Sequence, residues 1–279
     1  MTEFSNKTFT GERACFFAKD ASFTSCTFTD GESPLKEGEN LIVRSSTFGW
    51  KYPLWYCKSV LVENCHWLET GRAGVWYSND LTVKDSLIEG PKNFRRCKGL
   101  SLENVSLSNA LETLWDCEDV SLRNVKAKGD YLAMNAKNVT IENLELDGNY
   151  PFDGAKNVTI RHSVLHSKDS FWNSENIVLE DCLIEGEYFG WNSKSITLIN
   201  CTVISHQGFC YMEGLTLKGC KLKGTSLSFE YCKDIDAEIL DKVDSIKNPI
   251  SGRIVAKGCG EVIRDDDKLD HSKTEIILG

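Results

Sequence analysis

No apolar run in this chain exceeds a few residues, so it holds neither a segment to cross a bilayer nor the hydrophobic centre of a secretory leader. The expectation is a cytoplasmic protein with no membrane partner. Long tracts of like charge are also missing. The nearest approach, Arg264-Asp265-Asp266-Asp267, reads as a solvated turn. A net charge of -9 and a pI near 5.2 leave no basic excess, which argues against nucleic acid, acidic membranes and strongly anionic polysaccharides as partners. There is no Gly-rich phosphate loop, no Ser-His-Asp arrangement and no metal motif. Although the chain has 12 cysteines, none forms a Cys-x-x-Cys pair, so zinc, iron-sulfur and thioredoxin-type chemistry lack their usual spacing. No metal site and no cofactor are expected. No linker interrupts the 279 residues, and the expected organisation is a single domain over 1–279.

What the chain does have is a repeat. Between Ala21 and Leu222 one short phrase recurs eleven times at a spacing of 19 to 21 residues, as in Phe23-Thr24-Ser25-Cys26, Val62-Glu63-Asn64-Cys65 and Leu179-Glu180-Asp181-Cys182. A period in this range marks a solenoid or array. Within one copy Val139 and Ile141 alternate with polar neighbours, Asn143 interrupts, and Leu144 and Leu146 alternate again, which reads as two short strands meeting at a corner. A third apolar segment precedes each copy, for example Leu54-Trp55 and Phe171-Trp172. The predicted fold is therefore all-β: a right-handed, single-stranded parallel β-helix with three strands per turn of 19 to 20 residues and 11 to 12 turns. Residues 1–20 read as an N-terminal cap, 21–235 as regular coils, and 236–279 as irregular last coils with a C-terminal cap. Pentapeptide-repeat coils would show an apolar centre every five residues and turns of constant length, whereas this period drifts.

The corner column comprises Ser25, Ser45, Asn64, Asp85, Asn104, Asn124, Asn143, His162, Asp181, Asn200 and Gly219. These residue types tolerate a left-handed backbone, and stacked amides can bond to one another, so the column reads as a structural ladder. His162 belongs to it, and its spacing from His166 converges on a metal only in a helix. The cysteines also follow the repeat. Cys26, Cys65, Cys182, Cys201 and Cys220 share one column with Ser46 and Val105, and Cys57, Cys97, Cys117 and Cys232 share another with Ser78 and Ala136, which is how packing thiols distribute.

One column collects five of the seven tryptophans: Trp55, Trp76, Trp115, Trp172 and Trp191, interspersed with Arg95, Asp153 and Glu230. Strand alternation sends it outward if Leu54, Phe94 and Phe171 point inward. Flat rings and charged groups on a long face suit an extended polar ligand such as a glycan, so Trp55, Trp76, Arg95, Trp115, Trp172, Trp191 and Glu230 are the candidate ligand-binding residues. The alternative is that the indoles stack between turns and stiffen the coil. For hydrolysis, Asp153 and Asp169 are the carboxyl pair whose register approaches the needed separation; Arg95 or Lys168 would be the base for elimination. Arg96 and Asp116 are expected to form a surface ion pair.

At the ladder corner and its preceding strand the chain resembles the pectin-lyase-like superfamily of right-handed β-helices. More closely, Gly31-Glu32-Ser33-Pro34-Leu35-Lys36, Trp50-Lys51-Tyr52-Pro53-Leu54-Trp55-Tyr56, Phe94-Arg95-Arg96-Cys97 and Gly148-Asn149-Tyr150-Pro151-Phe152-Asp153-Gly154 are similar to a bacterial family described only as a domain of unknown function. The superfamily resemblance implies a polysaccharide groove on the face that carries the Trp column. It implies no catalytic residue, because the superfamily's Asn-Thr-Asp, Asp-Asp and Gly-His-Gly hydrolase pattern and its lyase calcium cluster are absent. The hydrogenase label carried by some members of the family finds no metal spacing here. The functional expectation is thus binding or modification of a glycan on the Trp face, by a hydrolase or lyase if an enzyme. The alternative is a non-enzymatic scaffold for a protein partner or a second copy of the chain.

Overall fold

The computed structural model describes residues 1–279, and the chain is an all-β parallel β-solenoid of about 15 turns. The turns exceed the 11 to 12 expected because residues outside the clean repeat are wound as well. Strand Thr2–Ser5 pairs in parallel with Lys19–Thr24, and the strands Lys233–Lys247, Gly252–Ile263 and Thr274–Leu278 continue the same pairing. Contacts divide the chain into two compact units, Met1–Thr140 and Ile141–Gly279, with the division falling inside strand Lys137–Asp147.

In the first unit most coils carry a six-residue strand, a corner and a two-residue second strand, while Lys98–Leu107 and Glu118–Lys128 run through the corner as single strands. Val60, Leu81 and Leu100 stand in register in successive strands, as do Val62, Val83 and Leu102. All six are buried, because alternate side chains of a strand share one face. After the corner, Phe28, Phe48 and Trp67 form an internal ring column with centroid spacings of 5.2 and 4.5 Å. The second unit repeats the scheme with Ile160, Leu179, Leu198 and Leu217 in register. Its ring column is Phe152, Phe171, Phe189, Phe209 and Phe229, spaced 5.0 to 5.5 Å. Gly190 occupies the expected core slot in one coil, but Phe189 supplies the ring there.

Every residue of the corner column adopts a left-handed backbone, from Ser25 (φ 53°) to Gly219 (φ 63°). In the first unit the ladder is explicit. Asn64 Nδ2 donates to Ser45 Oγ (3.1 Å), Asn104 Nδ2 to Asp85 Oδ1 (2.8 Å), and Asn124 Nδ2 to Asn104 Oδ1 (2.8 Å). In the second unit His162 sits between Glu142 (2.6 Å) and Asp181 (3.5 Å). Those carboxylates raise its pKa above the usual 6.5. A second left-handed column marks the entry to each long strand. There Asn40 donates to Asp20 (2.5 Å), Asn138 to Asp119 (2.9 Å) and Asn176 to Asn157 (3.1 Å).

Before the last coils, the third side is built from consecutive tight turns, with isolated bridges at Trp76–Arg95 and Ser228–Ile246 in place of a ladder of strands. The reason is a further run of left-handed residues: Phe94, Leu114, Phe152, Phe171, Phe209 and Phe229 all have φ between 55° and 68°. For a bulky residue that conformation costs about 1–2 kcal/mol, and fully burying a Phe returns about 1.5–3 kcal/mol, so the core wins. Length differences between coils are also taken up here. One two-residue-longer coil inserts the 3₁₀ turn Glu69–Gly71 between Trp67 and Val75.

The cysteines stand in their columns, all free, and ten of the 12 are buried. Their thiols do more than fill space. Cys65 Sγ contacts the carbonyls of Glu63 (3.3 Å) and Val43 (3.5 Å), and Cys201 Sγ those of Ile199 (3.3 Å) and Leu179 (3.5 Å). Ser46 Oγ makes the same pair of bonds, to Arg44 (2.7 Å) and Phe23 (3.5 Å). The column therefore accepts a small hydrogen-bond donor, which explains why Cys and Ser alternate in it. Burial pushes the Cys57 thiol up to about 12 and the Cys65 thiol to about 11, leaving almost no thiolate at neutral pH.

Two outcomes follow from these features. Asn104→Val should destabilise the protein by about 2–4 kcal/mol in urea unfolding, since it loses ladder bonds and forces a β-branched residue into positive φ; Asn104→Gly should cost only about 1 kcal/mol. Equal costs would mean that backbone conformation is not what the corner selects. In native protein at pH 7.5, a maleimide counted by intact mass should modify Cys259 first and Cys15 slowly, burial having raised the Cys15 thiol to about 11, with the ten buried cysteines reacting only after denaturation. Rapid native labelling of Cys182 or Cys201 would contradict the packing described.

Candidate functional site

The five tryptophans of the marked column divide between the two units and differ in what they do. In the first unit Trp55 and Trp76 stack face to face, 4.9 Å apart and 8° from parallel. Arg95 follows, its guanidinium 5.1 Å from the Trp76 ring and 4.3 Å from the Trp115 ring. Each indole N–H is spent on a backbone carbonyl: Trp55 on Ala73 (2.7 Å), Trp76 on Lys92 (2.9 Å) and Trp115 on Tyr131 (2.6 Å). Arg95 is bound to Glu112, which also holds Lys92 at 3.1 Å; the two cations draw the Glu112 carboxyl below its usual range against the opposing effect of its partial burial. In this unit the ring faces are occupied by one another and by Arg95. The column presents edges outward, and the guanidinium is committed to a carboxylate. Arg96 and Asp116 are paired as expected, at 3.8 Å.

The second unit is less closed. Asp153 accepts a hydrogen bond from Asn173 Nδ2 (3.0 Å). Glu230 is buried, held by Lys247 Nζ (3.1 Å) and Gln207 Nε2 (2.7 Å), so it is spent internally. Trp172 and Trp191 lie 6.0 Å apart and tilted by 38°. Beside them opens a cavity of about 200 Å³ lined by Asp169, Trp172, Tyr188 and Trp191. Of the sequence candidates, then, Asp169, Trp172 and Trp191 come together, while Asp153 and Glu230 do not line this space.

Local geometry explains the cleft. Asp169 (φ 56°) and Tyr188 (φ 58°) are left-handed residues standing three positions before Trp172 and Trp191. Trp172 Nε1 donates to the Tyr188 carbonyl (3.1 Å), tying one wall to the other. Gly186 (φ 154°) lets the following loop lie on the coil beneath: a Cβ there would come within 2.0 Å of the Ser167 carbonyl oxygen. Asp169 is 5% exposed. Burial raises its pKa above the usual 3.8, with Glu187 adding to the rise while Lys168 and a hydrogen bond with Tyr150 oppose it. Tyr188 was not among the sequence candidates. Its slot lies in the length-variable third side, where column alignment is weakest.

A second feature adjoins this one along the chain. Trp191 packs on Tyr211 (4.9 Å) and Tyr211 on Tyr231 (5.2 Å), and Tyr211 is 45% exposed. A hollow of about 550 Å³ there is lined by Asn192, Lys194, Tyr211, Glu213, Tyr231 and Lys233, among others.

The family profile described as "Protein of unknown function (DUF3737)" matches residues 2–277. The chain belongs to that family. No curated protein matches it. Among solved structures, two forms of QnrB1, a plasmid-mediated fluoroquinolone resistance protein, align with this DUF3737 chain at 13% and 12% identity. They cover 80% of this chain and 89% and 90% of theirs, with TM-scores of 0.19 and 0.21. Similarity at that level carries no inference about function. No helix of the DUF3737 chain is long and apolar enough to cross a membrane.

The buried carboxyl sets an expectation for stability. Because the folded state holds the Asp169 proton more tightly than the unfolded chain, its cost is absent below the unfolded pKa, appears as pH rises toward the folded pKa, and stays constant above it. Asp169→Asn should therefore raise Tm at pH 7, with the gain shrinking as the pH is lowered toward 4. A lower Tm for the variant at every pH would show that the carboxylate is a needed structural partner.

Proposed function

We propose that this protein is a carbohydrate-binding solenoid whose ligand lies across the aromatic run Trp172, Trp191, Tyr211 and Tyr231 of the second unit. The observation that carries this reading is the exposed Tyr211 ring between two aromatic neighbours, bordered by the amide of Asn192 and by the charged groups of Lys194, Glu213 and Lys233. Apolar rings meet the C–H faces of a sugar, and fixed polar groups meet its hydroxyls. The first-unit tryptophans are left out because Trp55 and Trp76 are closed on each other at 4.9 Å and 8°, whereas Trp172 and Trp191 stand 6.0 Å apart and tilted by 38°; Tyr211, stacked on both sides, offers its exposed edge. The net charge of -9 favours neutral or basic glycans over acidic ones. Binding without turnover is the simpler reading, since Asp153 and Asp169 do not share the cleft and Arg95 is tied to Glu112.

A second reading, a scaffold for a protein partner, has one observation in its favour. In the first unit the outer faces of strands Glu39–Arg44, Lys58–Glu63, Asn79–Lys84 and Lys98–Leu107 form a shallow hollow of about 620 Å³ whose lining includes Ile42, Leu61, Thr82 and Ser101.

A glycan panel screened with the full chain and with Tyr211→Ala separates the two. The expected result is binding of a neutral or basic glycan that weakens about tenfold in the variant, the scale of one aromatic contact, with Tm unchanged. A folded wild-type chain that binds no glycan, or a variant that binds equally well, overturns the carbohydrate reading.

A further inference from the structure

The first unit shows what this column holds when a carboxylate and tryptophan rings are brought together: a cation. Glu112 stands three residues before Trp115 at φ 51°, and the site it makes is filled by Arg95, which lies between two indoles, and by Lys92. Asp169 stands three residues before Trp172 at φ 56°, the same slot of its own coil. In the coil before it the positions of Lys92 and Arg95 are taken by Tyr150 and Asp153, so that coil supplies a hydrogen bond from Tyr150 but no cation, and the adjacent Lys168 acts on the acid only through space. No lysine, arginine or histidine nitrogen lies within 4.0 Å of the Asp169 carboxylate, although Asp169 is only 5% exposed and lines an open space. The gap opens on the Trp191 side of Trp172, lined by the two tryptophans and by Tyr188.

We propose that the cleft of Asp169, Trp172, Tyr188 and Trp191 is a binding site for an organic ammonium group. Ring faces attract a cation through their quadrupole, and aromatic residues gathered around a carboxylate are the components by which quaternary ammonium groups are recognised. At about 200 Å³ the cleft is smaller than the roughly 300–1,000 Å³ of a typical small-molecule pocket, so it takes a headgroup while the rest of the ligand stays outside. An apolar ligand alone would leave the buried carboxylate without a counter-charge, whereas an ammonium ion satisfies walls and acid together. The site shares Trp172 and Trp191 with the carbohydrate reading but goes beyond it, and stands or falls separately.

The test is titration of the full chain with choline and with its neutral isostere 3,3-dimethylbutan-1-ol, followed by tryptophan fluorescence and calorimetry, on wild type and Asp169→Asn. Choline should bind at least about tenfold more tightly than the isostere, and Asp169→Asn should remove most of that preference. A peptide bearing trimethyllysine, titrated in parallel, distinguishes a protein-borne ammonium from a free small molecule; tighter binding of either form supports the site. Equal affinity for choline and the isostere would show an apolar pocket and overturn the cation assignment. Absence of choline binding to folded wild type would overturn it too, whatever the glycan panel shows.

Discussion

The structure depends on one backbone constraint: in every regular coil the chain must enter the left-handed region at fixed places. A strand can stack on its predecessor only if the chain comes back over it one strand spacing, about 4.8 Å, higher after each circuit, and the tight corners that allow this have positive φ. Asn, Asp, Ser and Gly supply that conformation at low cost at the two strand-flanking columns. Stacking then places each amide above the last, so the residues chosen for conformation also bond to one another, as Asn104 does to Asp85. On the third side the same conformation is held by phenylalanines and leucines, where burial offsets the strain.

That difference explains what could be read in advance. The corner from Ser25 to Gly219 was legible because its residue types are unusual and recur at a near-constant period. The thiol columns were legible for the same reason, although the bonds that Cys65 and Cys201 make to carbonyls were not, since a sulfur that packs and a sulfur that donates look alike in a sequence. The third side misled in a specific way. Leu54-Trp55 and Phe171-Trp172 read as strand because alternation of apolar and outward residues is also what a stack of tight turns produces. Its ring column survives the loss of register at Gly190 because Phe189 fills the place, a substitution that fixed-period alignment cannot see.

The candidate face was partly legible. Five tryptophans in one column marked a continuous ridge, yet the column could not show which faces are consumed. In the first unit a guanidinium threads between indoles and turns the ridge into packing. In the second unit Trp172 and Trp191 lie farther apart and an acid without an ion-pair partner lies beside them. Exposed tyrosine is common to both units, at Tyr56 and at Tyr211. What separates them is the spacing of the paired indoles and the exchange of Lys92 and Arg95 for Tyr150 and Asp153, which leaves Asp169 without the cations that hold Glu112.

The 3₁₀ turn Glu69–Gly71 has a consequence for how this architecture can change. Its two extra residues leave the parallel register between Lys58–Glu63 and Asn79–Lys84 intact, because the added chain swells outward from a side that carries no continuous ladder. Length is therefore free to vary along one seam while the other two sides keep their pairing. A family built this way can lengthen, shorten or regraft the loops along that seam without renegotiating its core.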